Sequence, residues 1–404
     1  MKYIGIILTG TSGSGKTTIA NKFVSDFTDF KIVNSVTTRN KRDEDSNYTF
    51  LDKKEFYILK SDNKLLIDAE YRGEYYGIAK EDFANVLENN KIPILILTPN
   101  TANSLNNNFF KYNENFLILF IDTTDEQLKN RQTIRHEIID HDLFGQREKD
   151  RNIIKDISQN QESLFYIIRN EDSTLLNNII NLIYSLWEFR NLGGVLSKKI
   201  ITLMLKCGLL LENSDLNKIS GASYDLSLGD QYWQDGKVKT LNAKNPFIDL
   251  KPGDYVIVSS EEVAKFPKDI AGRFDLTVSL FCQGIILSNG PQIDPGFEGR
   301  LFCLLFNTSN NSISLKHKAH YATLEFYKLL EPTVSYKEKY LGKKDIIDYL
   351  PKPSAPSVIV GMQKDIKSLK SAKWWEKTLP LIISIFAIVA AIVGPIIISL
   401  IRDP

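Results

Sequence analysis

Cysteine is scarce in this chain: 404 residues hold three, Cys207, Cys282 and Cys303, far apart. That spacing suits neither a disulfide framework nor a zinc site, and a reducing compartment is its simplest setting. There are four histidines. Two of them, His136 and His141, lie in a stretch without a carboxylate-rich cluster and read as surface side chains rather than ligands. An excess of one charge is also missing. Fifty Lys and Arg stand against 49 Asp and Glu, which removes the polybasic character that holds duplex nucleic acid. The N-terminus has no basic n-region before its short apolar run, so that run reads as a strand and not a signal peptide. What is present is ordinary for folded protein: 43% hydrophobic and 25% charged residues, over a length that allows two or three domains.

One region departs from this average. Leu379 to Ile401, "LPLIISIFAIVAAIVGPIIISLI", carries no charge, and its 23 positions suffice to cross a hydrocarbon core about 30 Å thick. A buried core helix of this length usually keeps a polar stripe, so a transmembrane helix is expected. Lys364, Lys367, Lys370, Lys373 and Lys377 precede it and only Arg402 follows. The positive-inside rule then keeps the N-terminal bulk in the cytoplasm, with Trp374 and Trp375 as interfacial anchors. The expectation is a single-pass C-terminal anchor in the cell membrane, with residues 379–401 in lipid.

Residues 1 to about 190 alternate short β-rich runs (Ile4–Leu8, Pro93–Leu97, Phe116–Ile121) with helical segments (Thr17–Asp26, Lys80–Glu88, Asn152–Tyr184). This pattern predicts an α/β domain, a parallel sheet with flanking helices. From about 195 to 330 one helix, Ser197–Leu205, precedes many short strands separated by Gly, Pro, Asn and Asp, which predicts an all-β barrel or sandwich. "PKPSAPS" at 351–357 cannot hold regular structure, so residues 331–373 read as a linker and 374–404 as the membrane tail.

The sharpest motif is Gly10-Thr11-Ser12-Gly13-Ser14-Gly15-Lys16-Thr17, which fits G-x-x-x-x-G-K-[ST] between a strand and a helix. Its glycines let backbone N–H groups converge on phosphate oxygens at a helix N-terminus, with Thr18 beside them. Lys16 reaches the β- and γ-phosphates and Thr17 ligates Mg²⁺. Binding of a nucleoside triphosphate, ATP or GTP, is expected.

The residues that follow select a subclass. Ser35, Thr37-Thr38-Arg39, Arg42, Tyr48 and Tyr75-Tyr76-Gly77 occur in order through 34–83. This series resembles the monophosphate-binding part of the guanylate kinase family, and the resemblance covers nearly all of residues 1–190. It implies that Ser35, Arg39, Arg42, Tyr48 and Tyr76 bind an acceptor monophosphate. Two guanidinium forks and phenol hydroxyls also suit a phosphate dianion on chemical grounds. "LKNRQTIRHEIIDHDLFGQREKDR" (128–151) is similar to the family's lid, so Arg131, Arg135 and Arg147 are expected to join Lys16 in neutralising the transferred phosphoryl group. The alternative for this stretch is a solvated charged face. Three positions depart from the family pattern. Apolar Ile67 stands where the family reads guanine with an acid, Ile78 follows Tyr-Tyr-Gly, and Thr98 replaces a second acid. Asp68 and Glu70 are the acids that would compensate, and strand alternation points Asp68 to the opposite face. A site without those partners should discriminate poorly for guanine.

Four later segments, at 221–233, 250–274, 288–307 and 318–329, resemble in order the dCTP deaminase and dUTPase family, most specifically through Ile293-Asp294-Pro295-Gly296-Phe297-x-Gly299 and Asp225-Leu226-x-Leu228-Gly229. The resemblance implies a distorted β-barrel that trimerises, with a nucleotide site involving Asp225, Ser279, Gly284, Asp294 and Gly299. Its catalytic positions are largely replaced. Both arginines of the Arg-Ser-Ser-Leu-Ala-Arg-x-Gly motif are lost in Thr277–Gly284, the general acid/base glutamate falls on Leu304, and the arginine of the Asp-Leu-Arg-Leu-Gly element is Ser227. "LFCLLF" (301–306) reads as a fully buried strand, and no Glu or Asp lies between Arg300 and Thr308.

The leading expectation is a membrane-anchored kinase, self-associating as a trimer or higher oligomer, that uses ATP and Mg²⁺ to phosphorylate a nucleoside or deoxynucleoside monophosphate. Its second domain would be an inactive deaminase used for trimerisation or nucleotide sensing. A nucleotide-sensing membrane effector, with a role in antiviral defence, is the second reading. The third is a bifunctional enzyme that retains deaminase or dUTPase chemistry through Asp294.

Overall fold

The computed structural model describes residues 2–41, 47–104, 114–134, 143–160, 164–288 and 291–350, with 368, 378–380 and 383–384 beyond them. The first half runs through β1 (Lys2–Thr9), α1 (Lys16–Asp26), β2 (Phe30–Ile32), β3 (Ser35–Thr37), β4 (Tyr48–Phe50), α2 (Lys53–Ser61), β5 (Leu65–Tyr71) and β6 (Glu74–Ala79). It continues with α3 (Lys80–Glu88), β7 (Ile92–Leu97), α4 (Pro99–Ser104), β8 (Glu114–Asp122), α5 (Asp125–Ile134), α6 (Leu143–Asn160), β9 (Phe165–Arg169) and α7 (Leu176–Glu188). Strands β2, β7, β1, β8 and β9 make a parallel sheet in that order. A sheet covered on both faces needs strands apolar on both sides. Along β1, Ile6 and Leu8 face α1 and α7, while Ile7 joins Leu95 and Ile118 in a separate core. Strands β4, β3, β6 and β5 form a second small sheet, capped by Phe56 of α2 against Val36 and Leu65.

The second half comprises β10 (Gly194–Val195), α8 (Lys198–Lys206), β11 (Leu210–Glu212), β12 (Ser223–Gln234), β13 (Lys237–Thr240), β14 (Phe247–Leu250), β15 (Tyr255–Lys265) and β16 (Ile270–Leu276). After these come α9 (Val278–Cys282), β17 (Ile285–Leu287), β18 (Gln292–Ile293), β19 (Glu298–Asn307), β20 (Ile313–Lys316) and β21 (His320–Lys328). Its main sheet runs β17-β19-β15-β12-β21-β16-β18, and β14 pairs with β20 apart from it. Strand β19, expected to be buried on both faces, is fully buried on one only. Leu301, Cys303 and Leu305 are buried, whereas Phe302, Leu304 and Phe306 are only half-buried, because the strand belongs to an antiparallel sheet with one open face.

The core does not stop between the halves. One apolar cluster extends from Ile19, Leu119 and Ile168 through Leu182 and Leu186 of α7 and Met204 of α8 to Leu211, Tyr224 and Leu324. Residues 1–234 and 238–348 accordingly make one compact unit, and 235–237 with 349–404 a second. Residues 331–348, expected to begin a linker, pack onto the β-rich half: Gly342 N–H donates to the Glu298 carbonyl at 2.7 Å, and Ile346 is fully buried. The membrane expectation is overturned. Among the described residues no helix is long and apolar enough to cross a membrane, which takes about 20 residues. Most of Leu379–Ile401 lies outside the described residues, and the short helical turns seen there leave Leu379 and Ile383 exposed. The single-pass localisation built on that segment falls with it.

Candidate functional site

The loop from Gly10 to Gly15 joins the end of β1 to α1. Gly13 and Gly15 have φ of +84° and +96°, a region where a side chain is strained. At Gly10 an added Cβ would come within 2.4 Å of the Ile121 carbonyl oxygen. The backbone is thus wrapped into a cradle that only glycine permits. Lys16 Nζ folds over it and donates to the carbonyls of Gly10 (2.7 Å) and Thr11 (2.9 Å). Ser12 is half-buried, and Thr17 and Thr18 sit in the first turn of α1, half-buried and exposed respectively. The hydroxyls of Thr9, Thr11 and Ser14 are buried with no hydrogen-bond partner among the described residues. A loop with orphaned donors, a helix N-terminus and a lysine suits a polyphosphate.

Sequence reading missed the residue that holds this loop. Asn170, just after β9, donates its side-chain amide to the Ser14 carbonyl at 2.8 Å. Its carbonyl accepts from Arg131 (3.0 Å), which also bonds the Gly13 carbonyl (3.1 Å). Arg131 therefore lies against the loop. Arg147 is placed differently. It is buried on α6, bonded to Asp122 (3.2 Å), to the Thr123 carbonyl and to Asp125. Burial lowers its pKa, partly offset by Asp122. Arg151, not singled out from sequence, shares Asp122 at 2.8 Å. Arg135, His136 and His141 lie outside the described residues.

The small sheet carries Ser35, Tyr48 and Tyr76 of the residues expected to bind an acceptor. Ser35 pairs with Tyr48 on one side and Ile78 on the other, and Thr37 pairs with Tyr76. Arg39 leaves β3 with its guanidinium 4.8 Å from the Tyr48 ring centre and 5.5 Å from that of Phe50, a cation–π arrangement that fixes the fork beside a phenol. Arg42 lies outside the described residues. Ile67 and Ile78 pair across β5 and β6 and are buried with Val33 and Leu97. Thr98 Oγ1 is engaged with Thr101 at 2.7 Å. Asp68 is taken by Lys60 (2.5 Å), and Glu70 is exposed. Tyr71 donates to buried Asp150 at 2.9 Å and so ties this sheet to α6, and burial raises its hydroxyl pKa.

In the β-rich half Asp225 pairs with His320 at 3.3 Å, Ser279 is exposed on α9, Gly284 turns at φ +89°, and Asp294 accepts from Gln292 at 3.1 Å. Gly299, at φ +151°, opens β19 opposite Ala264. Among the described residues no hydrogen bond links these five. Ser227, where the related arginine would stand, instead reaches a buried carboxylate that sequence reading passed over. Glu262 is 1% exposed and accepts from Ser227 Oγ (2.7 Å), Ser227 N–H (3.0 Å) and Tyr224 (3.2 Å). Lys218 Nζ, 3.6 Å away, supplies the cation.

These features define an α/β domain with a glycine cradle at a helix N-terminus, followed by a β-rich domain. Residues 3–181 match the guanylate kinase family model, and residues 195–329 match the dCTP deaminase-like model. A dCTP deaminase of Thermococcus kodakarensis is 31% identical over 139 residues, 34% of this chain and 88% of that protein. A dUMP-forming dCTP deaminase of Dictyoglomus thermophilum is 30% identical over 138 residues, 34% of this chain and 71% of its own length. A solved guanylate kinase from Anaplasma phagocytophilum is similar at 22% identity, over 46% of this chain and 87% of that one, with a TM-score of 0.31. The chain belongs to the dCTP deaminase-like family through its second domain and carries a guanylate kinase domain before it.

Proposed function

We propose that the chain is a nucleotide kinase that transfers the γ-phosphate of ATP to a nucleoside or deoxynucleoside monophosphate, without selecting guanine. The observation that carries this reading is the pairing of a glycine cradle under Lys16 with a separate sheet bearing Ser35, Arg39, Tyr48 and Tyr76. An acceptor phosphate oxygen attacks the γ-phosphorus, the bond to the β–γ bridging oxygen breaks, and ADP leaves. Lys16 and the loop N–H groups bind the donor phosphates, and Arg131, beside the loop, offsets charge on the transferred group. Mg²⁺, when bound through Thr17, would neutralise the β- and γ-oxygens. Guanine reading fails because Ile67 and Ile78 are core residues and the Thr98 hydroxyl is engaged.

The second domain we assign to self-association or nucleotide sensing, supported by an exposed apolar face at Val278 and Phe281 (75% and 65% exposed). Incubating the full chain with ATP, Mg²⁺ and a panel of monophosphates should release ADP with at least one acceptor, with no preference for GMP. Lys16→Ala should lower that rate by about 10²-fold or more. No ADP release above the Lys16→Ala background, for any acceptor, would sink the proposal.

A further inference from the structure

Strand β9 ends the parallel sheet, with β8 on one side only. An edge strand leaves backbone groups for another partner, and here the second domain takes one of them, at the strand's end. The N–H of Arg169 donates to the Cys207 carbonyl at 3.0 Å. The Arg169 guanidinium bonds Glu212 of β11 at 3.0 Å, and its stem fills the space beside Gly208, where an added Cβ would lie 2.5 Å from Arg169 Cδ. The next residue is Asn170. Its amide holds the Ser14 carbonyl, and a Cβ on Gly15 would come within 2.4 Å of Asn170 Nδ2, so the loop and this side chain meet without slack. Consecutive Cα atoms are held about 3.8 Å apart, so where the second domain fixes Arg169 it also fixes Asn170.

We propose that Arg169 is a positioning residue for the phosphate loop, acting through Asn170, so that the dCTP deaminase-like domain sets the nucleotide affinity of the kinase domain. This rests on the reading of the loop as a nucleotide site. Coupling of this kind is reciprocal: nucleotide on the loop also steadies β11. The same link serves a sensor, since any ligand that shifts Leu210–Glu212 changes the grip on Ser14.

The test uses the full chain, a fluorescent ADP with Mg²⁺, and the variants Arg169→Met, which keeps the stem, and Arg169→Lys, which restores charge. Affinity should fall about three- to tenfold in the Met variant and recover in the Lys variant. Nucleotide should slow amide exchange over Leu210–Glu212 in the unaltered chain and not in Arg169→Met, a response that a purely structural residue would not give. Unchanged affinity in Arg169→Met, with the unaltered chain binding normally, would overturn this inference alone. Absence of binding by the unaltered chain, matching Lys16→Ala, would overturn the nucleotide reading and this inference with it.

Discussion

At the residue scale, Glu262 shows how a buried carboxylate is satisfied by partners from separate elements. A buried carboxylate needs a cation or several hydrogen bonds. With serine at 227, the positive charge arrives on Lys218, at the C-terminal end of the short turn before β12. Lys218→Met should destabilise the chain by about 1–2 kcal/mol, a figure reduced from that of a fully buried pair because the lysine is partly exposed. Adding Ser227→Arg to that variant should restore stability by returning a cation to Glu262 from the strand. Urea unfolding of the three proteins measures this, and an unshifted midpoint for Lys218→Met would contradict it. The phosphate loop could be read from sequence because its chemistry is backbone geometry compressed into eight consecutive residues. Asn170 and Glu262 could not, since their partners lie 156 and 35 residues away and neither sits in a local pattern.

At the scale of elements, strand and helix periods were readable wherever one side chain pattern served one environment. Strands β1 and β8 are apolar on both faces, and both faces are covered. The run in β19 carries the same signature but belongs to a sheet with a half-open face, so hydrophobicity alone misplaced Phe302, Leu304 and Phe306. Leu304 lies opposite Ile257, and between Arg300 and Thr308 there is no carboxylate to move a proton. Incubation of the full chain with dCTP should therefore yield neither dUTP nor dUMP, as read by chromatography of the nucleotides. Either product above a no-protein control would restore the bifunctional reading.

At the scale of the whole molecule, length allows two or three domains, and the alternation of strand and helix patterns sets the expected division near residue 190. What that pattern could not convey is that the boundary is a core. Helix α7 buries Ile179, Ile183 and Leu186 together with Leu182 and Trp187, and α8 continues the same cluster with Ile201 and Met204 into the strands beyond. Buried polar contacts lock the seam: Tyr166 donates to Asp269, which also pairs with Lys328 at 3.2 Å. Burial raises the Tyr166 hydroxyl pKa well above its ordinary value. Domains that share so much apolar surface lose it together, since unfolding either one exposes the other's half of the cluster. The compact unit is therefore expected to unfold in one cooperative transition. Variants that replace every tryptophan by phenylalanine except Trp187 of α7, or except Trp233 of β12, place a reporter in each half. Their fluorescence midpoints in urea should coincide, and two separated midpoints would show that the halves fold independently, which would also remove the rigid connection through which Arg169 positions the phosphate loop.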